Sequence, residues 1–108
     1  MIYKFKNAFR GYLVAINDKS IFIIVFLAVI SIIASFILNF TQFEIITVIM
    51  LSALIITLEM INSAIEMTCN LITNQQNEQI KKIKDLSAAA VLTACIFAFG
   101  IGIYFIIF

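Results

Sequence analysis

The chain alternates long apolar runs with short polar breaks. Ser20 to Phe43 holds 24 residues without a charge, and Leu86 to Phe108 holds 23. About 20 apolar residues cross a hydrocarbon core as a helix, so either run is long enough. Between them, Glu44 to Asn70 reads as a third long helix, apolar at first and polar-striped at its end. Thr41-Gln42-Phe43-Glu44 fits a capping box and predicts the start of that helix, leaving Asn39 to Gln42 as a tight turn. Three such segments cannot close a barrel, and an open sheet edge leaves unpaired backbone groups in lipid. The expected fold is all-α and integral to a membrane, a single domain over residues 1–108. Its membrane helices are expected near 21–40, 43–70 and 86–106.

The first 17 residues follow another pattern. Ile2, Phe5, Phe9, Tyr12 and Ile16 recur at spacings of 3, 4, 3 and 4, which puts them on one helical face. Lys4, Lys6, Asn7, Arg10 and Asn17 lie to the sides and back. Such a basic amphipathic helix, here over 1–17, is expected to lie in the membrane interface. The blander alternative is a disordered basic tail.

Composition agrees with a membrane setting. The chain is 64% hydrophobic and 12% charged, with a mean hydropathy of +1.16. A soluble domain is about half apolar and about a quarter charged. The N-terminus shows no cleavable signal peptide, since its basic residues are spread out and no early apolar core follows them. Cys69 and Cys95 sit in apolar segments without metal spacing and read as small buried hydrophobes. There is no His, so histidine chemistry is excluded.

The basic residues orient the chain. Lys4, Lys6, Arg10 and Lys19 precede the first span, and Lys81, Lys82 and Lys84 lie between the second and third. With three spans these two regions share a side, which the positive-inside rule makes cytoplasmic. The polar end of the second span then faces the cytoplasm, beside the stretch Asn77 to Asp85, read as a loop. No nucleic-acid partner is expected.

That polar end poses the chemical question. Glu59, Asn62, Ser63, Glu66 and Asn70 fall within a sector of about 100° over three turns of one helix. Such a stripe cannot face lipid. It points at other helices or a watered site, where intramembrane carboxylates mark function. A packing seam between helices is the structural alternative. Glu59 is the deeper carboxylate and suits proton transfer. Glu66 is nearer the cytoplasm, at a level for a hydrated Mg²⁺, which takes one or two carboxylates and leaves the rest to phosphates and water. Lys84 and Asp85 sit on the same side at the start of the third span. Base, metal carboxylate and phosphate-binding lysine are parts of phosphoryl transfer. A proton-coupled exporter and a non-enzymatic membrane scaffold stay open on these residues alone.

"EMINSAIE" at 59–66 and "KDLSAAAVL" at 84–92 together resemble the bacterial integral-membrane diacylglycerol kinase and undecaprenol kinase family. That family ends its second membrane helix in E-x-x-N-S/T-A-I-E and opens its third with K-D-x-x-x-x-A-V-L. The resemblance covers nearly the whole chain. It implies an ATP-dependent lipid kinase of the bacterial inner membrane, acting at the cytoplasmic face on a membrane lipid alcohol. It also implies Mg²⁺ as cofactor and a homotrimer with sites shared between subunits. Carried over by motif, the catalytic base falls on Glu59 and its companion asparagine on Asn62. A metal carboxylate falls on Glu66, and the nucleotide-binding pair on Lys84 and Asp85. A second metal carboxylate, usually Glu, falls on Asp18 by its distance of 41 residues from Glu59. Asn70, assigned to the nucleotide, stands where the family usually has Asp. The loop near the adenine, often acidic or His in the family, reads Gln75-Gln76-Asn77. The short N-terminal arm, Glu44 and "NDKS" at 17–20 lean toward the undecaprenol-preferring branch.

Overall fold

A computed structural model describes residues 2–72 and 77–108. Four helices follow in order: α1 (Ile2–Ile16), α2 (Lys19–Ile37), α3 (Gln42–Ile72) and α4 (Glu78–Ile107). The last three are long and apolar enough to cross a membrane. α3 lies in the middle, packed against α2 on one side and α4 on the other, while α1 rests on α2.

Local chemistry sets each helix end. α1 stops at Ile16, and Asp18 caps α2 after a two-residue break. The Asp18 carboxylate accepts from the backbone N–H of Ser20 at 2.9 Å and of Ile21 at 3.2 Å, both otherwise unpaired at a helix start. At the far end of α2, Asn39 turns the chain with φ 60°, a conformation asparagine tolerates better than most residues. Phe40 N–H donates to Ser35 O at 3.0 Å and Asn39 N–H to Phe36 O at 3.2 Å, the paired bonds of a Schellman cap. Phe40 then packs edge-on against Phe105 of α4, which ties the turn to the bundle. The predicted capping box forms: Thr41 N–H donates to Glu44 Oε1 at 2.9 Å, and Glu44 N–H to Thr41 Oγ1 at 3.2 Å.

One element departs from expectation. Asn77 to Asp85, read as a loop, is helical from Glu78, so α4 starts eight residues before the apolar run. Asn77 is the cause. Its side chain accepts from Gln79 N–H at 2.8 Å and caps the helix. Charge blocks a membrane span but not a helix, and Glu, Gln, Lys and Ile all extend one readily. α3 and α4, at 31 and 30 residues, are each roughly 45 Å long at 1.5 Å per residue. A hydrocarbon core is about 30 Å thick. The surplus leaves room for several turns of each helix beyond such a core, and the end of α3 and the start of α4 carry the polar residues.

Polar side chains share the interior with Ile21, Cys69 and Val91, and the exterior is apolar. Ser35, Ser52, Glu59, Asn62 and Ser63 are buried, while Phe, Ile and Leu side chains along α2, α3 and α4 point outward. Lipid tails solvate those apolar groups, so helices gain most by close approach through small residues and by polar contacts between them. α1 forms as the spacing predicts, with Ala15 buried and its face of Ile2, Phe5, Phe9, Tyr12 and Ile16 exposed.

Candidate functional site: a carboxylate, amide and lysine cluster at one end of the bundle

The polar stripe lies on α3 where α4 begins. Glu59, Asn62 and Ser63 are buried, whereas Glu66 and Asn70, one and two turns beyond Asn62, are exposed. This gradient runs from the bundle interior to its end. The same face of α3 is covered where the neighbouring helices pack on it and open toward its C-terminal end.

Two bonds clip α4 to this stripe. The Lys84 ammonium donates to Asn70 Oδ1 at 2.7 Å. The Ser87 hydroxyl donates to Asn62 Oδ1 at 2.6 Å. Asn62 in turn donates from Nδ2 to Glu66 Oε1, a long contact at 3.5 Å, and stands one turn from Glu59 on the same face of α3. Glu59 lies within electrostatic range of both Glu66 and Asp18. Asp18 stands at the α1–α2 junction, as the N-cap of α2. Asp85 is exposed, about 100° round α4 from Lys84, and makes no hydrogen bond among the described residues. Gln75 and Gln76 lie outside the described residues, and Asn77 is the α4 cap.

Ser87 is the residue that sequence reasoning missed. It lies three positions past Lys84, so the two share a face of α4. That signal was legible only with α4 extended back through Lys84. Both cysteines are free; Cys69 is buried as expected, whereas Cys95 is half-buried.

The donor set is all oxygen, the chemistry of a hard cation. Among the described residues, no three acidic or sulfur side chains are arranged to hold a metal ion. Asp18 already spends one oxygen on the α2 cap. The residues fit an ion that brings phosphate and water ligands with it, held by two carboxylates at most. A cavity of about 540 Å³ lies toward the other end of the bundle, lined by residues such as Leu27, Ser35, Ser52 and Phe99. It includes none of the candidate residues.

Acidic, amide and ammonium groups thus gather at one end of three helices long and apolar enough to cross a membrane. A family model described as prokaryotic diacylglycerol kinase matches residues 6–106. The chain belongs to that family and is a membrane lipid kinase, a transferase. The exporter and scaffold readings fall with this match. No curated protein matches the chain.

Proposed function

We propose that the chain transfers the γ-phosphate of Mg-ATP to the primary hydroxyl of a membrane lipid alcohol at the cytoplasmic face, as a homotrimer. Glu59 takes the hydroxyl proton as the lipid oxygen bonds to the γ-phosphorus. The bond from that phosphorus to the bridging oxygen breaks, and ADP leaves with its electron pair. Lys84 neutralises charge on the phosphates, and Asn70 and Asp85 orient the nucleotide. Glu66 and Asp18 hold the Mg²⁺ that accompanies the nucleotide, which supplies charge neutralisation across the phosphates. Asn62 steadies the Glu59 carboxylate. The observation that carries this reading is the buried Glu59 beside Asn62, on a stripe bonded to α4 through Ser87 and Lys84.

Of the two lipid alcohols, undecaprenol is favoured over diacylglycerol. Side-by-side turnover in detergent with γ-labelled Mg-ATP tests both levels. Label is expected in both lipid products, faster into undecaprenol. Faster labelling of diacylglycerol would reverse the lean. Label in neither lipid would remove the reaction.

The Mg²⁺ assignment has its own test. Glu66→Gln is expected to need about tenfold more Mg²⁺ for half-maximal turnover, while the trimer persists. A Mg²⁺ dependence equal to the parent's would remove the role. Asp18→Glu is expected to keep or raise activity, because it adds the reach of one methylene. Glu caps helices less well than Asp, so the same change should lower stability by about 1 kcal/mol. An inactive Asp18→Glu beside an active Asp18→Ala would show that Asp18 is a cap alone.

A further inference from the structure

Ser87 falls at an unassigned position of the Lys-Asp motif, and nothing in the transfer step above uses it. Its Oγ lies 2.6 Å from Asn62 Oδ1 and 2.9 Å from the Lys84 backbone oxygen. A hydroxyl has one proton. Only one of these contacts can be a full donation, and the surroundings of Asn62 decide which. An ionised carboxylate can only accept. Asn62 must therefore turn its amino group toward Glu66, which leaves Oδ1 facing α4. That oxygen belongs to a residue only 7% exposed, and Ser87 donates to it from the neighbouring helix. A flipped amide would set its oxygen against Glu66. The Ser87 hydroxyl would then accept from Nδ2 and donate to the Lys84 backbone oxygen alone, so the Glu66 contact is what fixes the orientation of the amide.

We infer that Ser87 is a positioning residue of the transfer reaction, holding the Asn62 amide so that its amino group serves the carboxylates of Glu59 and Glu66. It acts through Asn62 and touches no reacting atom. The inference rests on the kinase reading and extends it to a residue of α4. Because Ser87 and Lys84 share a face, the turn that presents the ammonium also sets the amide. Nucleotide binding and the proton acceptor are thereby linked through one rigid element.

Ser87→Ala is expected to lower kcat for lipid phosphorylation about tenfold, since a small misplacement of an aligned group is enough for such a loss. KM for Mg-ATP should change less than about twofold. Ser87→Thr restores the donor and should recover most of the loss. In an Asn62→Ala background, Ser87→Ala should cost nothing further, because the two residues act as one unit. A full Ser87→Ala loss in that background, or a kcat equal to the parent's with only a lower Tm, would reduce Ser87 to helix packing. The side-chain amide resonances of Asn62 give a readout without turnover. They should shift in Ser87→Ala and return in Ser87→Thr. A parent protein that labels no lipid would remove the kinase reading. The resonances would still judge the bond, and an unmoved Asn62 signal would overturn it.

Discussion

Glu59→Gln is expected to lower lipid phosphorylation by about 10²–10⁴-fold, the usual worth of a general base, while nucleotide binding changes little. The carboxylate is buried in a single chain and lies about two turns, roughly 10 Å, from Glu66 along the helix. A lipid alcohol brings its hydroxyl from the membrane side, whereas the nucleotide arrives from water. In the proposed reaction the base belongs on the lipid side of the metal carboxylate, the role given to Glu59. Gln has nearly the same shape, can still interact with Asn62 and accepts no proton. It also removes the cost of burying a charge, so Tm should hold or rise as turnover falls. A seam residue would behave otherwise, changing Tm with turnover intact. Parent-rate phosphorylation by Glu59→Gln would assign the proton to another group.

Lys84→Ala is expected to raise KM for Mg-ATP by about 10- to 100-fold, the range for losing a hydrogen bond to a charged group. Lys84 is held by a neutral amide, Asn70, so its charge is not cancelled by its partner. An incoming phosphate is the stronger acceptor and can draw the ammonium from Asn70 or share it. Lys81 and Lys82 lie on exposed parts of the same turns. Either of them replaced by Ala should leave the nucleotide KM near the parent's. Lys84→Arg keeps the charge but not the compact ammonium and should recover only part of the loss. Unaltered turnover of Lys84→Ala at limiting ATP would leave Lys84 an anchor at the membrane surface.

The three spans, the Thr41–Glu44 capping box and the amphipathic face of α1 follow from local patterns: chain length against bilayer thickness, one capping geometry, one helical period. The clustering of Glu59, Asn62 and Glu66 was equally readable, because residues three, four and seven apart on one helix share a face wherever that helix goes. The sequence also places Lys84 near the end of the second span, since a short connection cannot carry it far.

What only the tertiary structure decided begins where two elements meet. Asn77 as a cap, and with it the eight extra residues of α4, depends on a backbone conformation that composition does not report. The Lys84–Asn70 bond and the Ser87–Asn62 bond join positions 14 and 25 residues apart on different helices. A period along one helix names the face but not the partner. Which hydroxyl faces Asn62 is set by the rotation and register of α4 against α3. Those are fixed by packing summed over both helices, and by no single residue in either.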